Sequence, residues 1–358
     1  MKSLRARVLG LFSLLAVASV LTGCMGGTPT SSWSSLSIAD GVLYVGTQQG
    51  RAFALQPDTA AQLWSYPPQV DKALQTTFPG AAAALGGLVY FGGNDGRVYA
   101  LDANTGAQNW SVTTGGPIVA DLVMADEQTL LVASQDRRLY AYATDNGAKL
   151  WDFATGNWIW GRPAVADGRV YVGSFDHKLY CLDLSSGAKQ WEFTAGAAMA
   201  GGPAVGEGLV YAAALDSRLY ALDAASGAER WQFTAGHWIW GSPVLVNDVV
   251  YVGSLDKKVY ALDAATGNLR WAFDAQGMVR AGPTYANGML YVGTEAGQLF
   301  ALDATSGGQR WLFTTNQAIL SSPVVADDTV FVQTLGDVLY AIDAGSGAQR
   351  WTVTPGKQ

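Results

Sequence analysis

From Ser242 to Phe273 the chain reads SPVLVNDVVYVGSLDKKVYALDAATGNLRWAF. Apolar positions come in short bursts, often at every second residue, and turn-forming residues separate them. Pro243 to Val246 begins a short strand that Asn247-Asp248 turns. Val249-Val250-Tyr251-Val252-Gly253 is a second strand, rich in the β-branched and aromatic residues that suit a pleated surface. Leu255-Asp256-Lys257 turns the chain again, Lys258 to Leu262 alternates as a third strand, and Asp263 to Gly267 is the next turn. Leu269 to Phe273 makes the fourth strand. No stretch sustains helical spacing.

This block recurs. The tryptophans that close each copy are Trp64, Trp110, Trp151, Trp191, Trp231, Trp271, Trp311 and Trp351, and the steps between them are 46, 41, 40, 40, 40, 40 and 40 residues. Four short antiparallel strands about every 40 residues are the signature of a propeller blade. A chain of 358 residues would by length alone suggest two domains. Eight units fill residues 33–358 and leave no room for a second one, so the expected fold is all-β, a single eight-bladed β-propeller of four-stranded antiparallel blades.

An aspartate opens the turn before the closing strand in six of the eight units, at Asp102, Asp183, Asp223, Asp263, Asp303 and Asp343. Six carboxylates in register resemble a constellation, but each belongs to a different blade. Asp accepts hydrogen bonds from the backbone just after it, and the glycine that follows supplies a positive φ, so a structural turn is expected. Gln56 and Ala143 replace the aspartate, and Ala60 replaces the glycine in the first unit. That unit is degenerate, as terminal repeats often are.

The N-terminus has a different character. Lys2, Arg5 and Arg7 precede an apolar run from Val8 to Leu21, then Leu21-Thr22-Gly23-Cys24. This reads as an export signal, too short for a comfortable membrane span. The tetrapeptide resembles a bacterial lipobox, which implies cleavage after residue 23 and acylation of Cys24, with residues 24–32 as a linker. Without Lys2, Arg5 and Arg7, 29 acidic residues face 22 less 3 basic ones, a net charge near −10. Such a body does not attract nucleic acid or anionic lipid headgroups. Cys181, the only other cysteine, stands where other repeats have Ala221, Ala261 and Ala301, and is expected to be a small buried hydrophobe.

The run Ala-Leu-Asp-Ala-x-Thr-Gly-x-x-x-Trp resembles the tryptophan-docking repeat of quinoprotein-like (PQQ-like) eight-bladed propellers, over essentially the whole chain after the leader. A lipobox followed directly by eight such units resembles the BamB-type lipoproteins of the outer-membrane assembly machinery. The resemblance implies that each closing tryptophan docks between neighbouring blades. It also implies a protein partner in an outer-membrane barrel assembly complex, attachment to the membrane through the N-terminal lipid on the extracytoplasmic side, and no cofactor.

Five tryptophans remain: Trp33, Trp158, Trp160, Trp238 and Trp240. Two sit in NWIWGRP (Asn157 to Pro163) and two in HWIWGSP (His237 to Pro243), 80 residues later, which is two repeats. All five fall where one blade crosses to the next, on the face that also carries the hairpin between second and third strands. Two readings compete. In one, these tryptophans fill gaps between blades. In the other, Trp33, Trp158, Trp160, Arg162, His237, Trp238, Trp240 and Arg280 rim the mouth of a central channel, since exposed aromatics with Arg are favoured binding anchors. The hairpins on that face carry Asp95, Asp136, Asp176, Asp216 and Asp256, each followed two residues later by Lys or Arg, and are read as solvated turns. An insertion lies within Pro67 to Pro79, where Phe78 is expected to be an exposed aromatic and a second partner site.

Catalytic chemistry is sparse. The two histidines, His177 and His237, form no zinc-ligand spacing, and there is no phosphate loop or nucleophile elbow. A PQQ-dependent dehydrogenase would, by resemblance, need a pair of adjacent cysteines, long inserted loops and a calcium site. The expectation is a non-enzymatic, lipid-anchored, monomeric propeller scaffold. The alternative is an extracytoplasmic sensor whose aromatic mouth holds a glycan or small planar ligand.

Overall fold

A computed structural model describes residues 34–68 and 76–357. The expected signal segment, Cys24, the expected linker, Trp33 and most of the insertion after Pro68 lie outside the described residues. Those described form eight four-stranded antiparallel sheets, each a simple meander in chain order. The first blade runs Leu36–Ala39, Val42–Gly46, Ala52–Leu55 and Gln62–Tyr66. The sixth runs Val244–Val246, Val249–Gly253, Lys258–Asp263 and Leu269–Asp274, and the last strand of blade 8 is Gln349–Val353.

Burial explains the pattern. The second and third strands are buried along almost their whole length because each blade packs against a neighbour on both sides. The outer strand alternates exposed and half-buried positions. The core is accordingly a set of separate layers, one between each pair of blades. Tyr171, Leu179 and Cys181 of one blade meet Met199, Val210, Tyr220 and Leu222 from the next. Cys181 is fully buried, and burial pushes its thiol up to about 11.

The closing tryptophans join these layers. Each Nε1–H donates to a backbone carbonyl in the next blade: Trp151 to Leu184 at 2.8 Å, Trp231 to Ala264 at 2.9 Å, Trp311 to Ala344 at 2.9 Å. A second-strand tyrosine reaches the same oxygen, as Tyr211 does at 3.1 Å from Ala264. The tryptophan ring lies over the glycine of the Asp-Ala-x-Ser/Thr-Gly turn. Gly267 has φ +73°, and a Cβ there would come within 2.6 Å of the Trp231 ring. The turn aspartates cap their own loops: Asp263 Oδ1 accepts from Thr266 N–H at 3.0 Å and Thr266 Oγ1 at 2.8 Å.

The ring closes by packing, with no strand shared between first and last blades among the described residues. Trp351 Nε1 donates to Pro57 O across the seam at 2.8 Å, and Gln333 Nε2 donates to Gly46 O at 3.0 Å. Gln48 N–H donates to the buried Asp337 carboxylate at 3.0 Å. Burial raises the pKa of Asp337. Leu36, Val45 and Phe53 share one apolar cluster with Phe331 and Leu339.

Candidate functional site at the channel mouth

Two sets of turns lie at opposite ends of the blades. The hairpin between the first two strands bonds the turn before the outer strand, as in Ala264 N–H to Asp248 O at 2.9 Å. The blade crossing instead bonds the hairpin between second and third strands: Phe175 N–H donates to Trp158 O at 2.9 Å and Leu255 N–H to Trp238 O at 2.9 Å. The aromatic phrases therefore share a face with those hairpins.

Within each phrase the three central residues diverge. Trp158 and Trp238 are 41% and 44% exposed, Ile159 and Ile239 are fully buried, and Trp160 and Trp240 are half-buried. Successive side chains of an extended segment point to opposite sides, so the isoleucine enters the core and its two neighbours do not. Ile118, Met199, Val279 and Ile319 occupy the same core position in other blades. That apolar ring was present in the sequence as one more 40-residue period, hidden between the tryptophans that drew attention.

Phe78 belongs to this ring, which corrects the expectation that it is exposed. It is fully buried, with ring centroids 5.7 Å from Phe91 and 5.6 Å from Tyr99, both edge-on. The insertion ends before the repeat register resumes, and the register puts residue 78 in the core.

Trp160 and Trp240 belong to blades 4 and 6, yet their rings meet edge-to-face at 6.4 Å. Blade 5 contributes only Ala200 at this level, which leaves room for the contact. Arg280 lies over Trp240 at 4.9 Å and its Nε donates to Glu295 at 2.6 Å. Trp160 also packs on Phe175 at 5.7 Å. Trp160, Ala200, Trp240 and Arg280 line a cavity of about 100 Å³ on the propeller axis. Below them the crossings touch: a Cβ on Gly161 would meet the Gly201 carbonyl carbon at 2.4 Å. Ser35, Asp121, Arg162, Ser242, Gly282 and Ser322 form a waist that also lines a second chamber of about 490 Å³. The structure thus gathers Trp160, Trp240, Arg162 and Arg280 on the axis. Trp158, Trp238 and His237 are exposed. His237 Nδ1 accepts from the Trp238 N–H at 2.8 Å.

The hairpin aspartates are not solvated turns. Asp176 Oδ2 accepts from the Gly156 N–H of the blade crossing at 2.6 Å and from Tyr180 OH at 2.7 Å, while Oδ1 accepts from Lys178 N–H at 3.0 Å. Asp136 and Asp256 repeat this set of contacts. Burial, with the bonded carboxylate adding to it, holds the Tyr180 phenol above its usual range. A signal existed: Asp95, Asp136, Asp176, Asp216 and Asp256 each have Tyr four residues on, whereas Ala296 is followed by Phe300 and Gln49 by Phe53; only Gly336, followed by Tyr340, departs from it. These bonds brace the mouth by tying each hairpin to the blade crossing. Among the described residues no group of three or more His, Cys, Asp or Glu is placed to hold a metal, and no helix is long and apolar enough to cross a membrane.

Eight meandering blades with docked tryptophans around an aromatic axial mouth define a tryptophan-docked, PQQ-like β-propeller. A family model described as outer membrane protein assembly factor BamB matches residues 26–120, 70–157, 94–197, 175–280 and 255–358. The chain belongs to that family. Its fold is similar to the crystal structure of BamB from Moraxella catarrhalis, at TM-score 0.73 and 20% identity, over 86% of this chain and 93% of that one. It is equally similar to the computationally designed Ika8 protein, at TM-score 0.74 and 15% identity, over 89% of this chain and 95% of that one. At such identities the likeness speaks for the fold alone, and function has to be argued from the site. A search of curated proteins found no match.

Proposed function

We propose that this protein is a non-catalytic scaffold, held at a membrane by acyl chains on Cys24, that assists the assembly of outer-membrane β-barrel proteins. The observation that carries this reading is an exposed apolar row on one face. Trp158, Trp238 and Met278 stand at the same position of blades 4, 6 and 7 and are 41%, 44% and 43% exposed. Exposed aromatics set on a rigid frame are the residues that dominate protein interfaces. Membership of the BamB family supports a partner of this kind, a component of a barrel assembly complex. The linker Met25 to Ser32 spans at most about 28 Å, which keeps the propeller close to its own membrane.

The test is photo-crosslinking in the native cell. A crosslinking residue at position 158 or 238 is expected to capture an outer-membrane barrel-assembly protein, and one at Leu150 on an outer strand is not. Equal capture from all three positions, or none from 158 and 238, defeats the proposed docking face. Cys24→Ser is expected to release the protein from membranes into the soluble fraction.

A further inference from the structure

We propose that the waist of the axial channel binds a small aromatic monocarboxylate, its carboxylate paired with Arg162 and its ring set against Trp160 and Trp240. This goes beyond the scaffold reading, which uses the exposed rim, and needs no protein partner.

Arg162 lines both chambers of the channel and is exposed to solvent there, and no described residue bonds its guanidinium. Its stem is fixed, because a Cβ on the neighbouring Gly202 would come within 2.7 Å of Arg162 Cγ. A guanidinium on an anchored stem at a constriction offers the fork of donors that a carboxylate matches. The hydroxyls of Ser35, Ser242 and Ser322 share the waist. Ser242 Oγ accepts from Gly202 N–H at 2.9 Å, which leaves its own proton to donate to an anion. Asp121 sets the charge limit. It stands in the same two chambers, held by Ala81 N–H at 2.7 Å, and its fixed negative charge disfavours a dianion such as phosphate.

Above the waist, the edge-to-face pair of Trp160 and Trp240 presents ring surface around a cavity of about 100 Å³, the size of a single ring.

The test uses the full-length, detergent-solubilised protein with 4-fluorobenzoate, followed by fluorine NMR and calorimetry. Saturable one-site binding is expected, about tenfold or more tighter than for 4-fluorobenzamide. Acetate, which lacks the ring, and inorganic phosphate are expected to bind at least tenfold more weakly than the benzoate. Arg162→Gln is expected to lose at least tenfold in affinity with its melting temperature unchanged, Arg162→Lys to recover part of it, and the outer-strand variant Leu150→Ala to bind normally. Gly202→Ala, whose Cβ would meet the Arg162 backbone carbonyl oxygen at 2.3 Å and Cγ at 2.7 Å, shifts both backbone and stem of Arg162 and is a second route to the same loss. Absence of saturable benzoate binding, equal affinity for the benzamide or for acetate, or undiminished binding by both Arg162→Gln and Gly202→Ala would each overturn the assignment. Because no partner is in the sample, none of these outcomes bears on the scaffold reading.

Discussion

Removing one docking tryptophan tests how the blades are joined. Trp231→Ala deletes the indole that lies over Gly267 and donates to Ala264 O. Truncating a large aromatic in a packed layer costs about 3–5 kcal/mol. The hydrogen bond is a small part of this, about 1 kcal/mol, because Tyr211 still donates to the same carbonyl. Trp231→Phe should therefore cost far less than Trp231→Ala. With about 2.1 cal/mol/K of unfolding entropy per residue over Trp33–Gln358, each kcal/mol lowers Tm by roughly 1.5 °C, so the alanine variant should melt about 5–8 °C lower. Gly267→Ala should also destabilise, since its Cβ falls 2.6 Å from the ring and φ is +73°. In the Trp231→Ala background the clash disappears, and only the backbone cost of about 1 kcal/mol remains. The double-mutant cycle, read by denaturant titration, should show strong coupling. Additive costs would mean that the ring does not rest on that glycine.

Acid should unfold the protein through its turn carboxylates. Hydrogen bonds from Arg310 and Ser306 hold Asp303 at about 2, and Asp102, Asp183, Asp223, Asp263 and Asp343 are lowered by comparable loop or arginine contacts. Their folded pKa lies below the unfolded one, so the stability they contribute is complete above about pH 4 and is lost as pH falls through the folded value. Tm should hold steady from pH 7 to about 5, then fall toward pH 2, and Asp303→Asn should shrink that fall; an unchanged slope would count against the caps. Phe78→Ala, at a fully buried ring position, should cost about 3–5 kcal/mol in urea titration, whereas a loss within experimental error would return Phe78 to the surface.

Much of the architecture was legible because a propeller is written in local terms. Period-two alternation, turn chemistry and a 40-residue recurrence each act within one blade, so strand count, blade count and the docking tryptophans could be read directly from the sequence. The role of Asp176 was not. Its partners, Gly156 and Tyr180, include a residue on another segment, and only the ring brings that segment to the hairpin. Phe78 was misread because an insertion blurred the local register, while the packing of blade 2 against its neighbours restored it. The same division holds at the mouth. Sequence placed Trp160 and Trp240 at one repeat position two blades apart. That they touch, with Ala200 leaving the gap, was decided by curvature, because the innermost crossings converge on the axis and residues far apart in the chain are closest there.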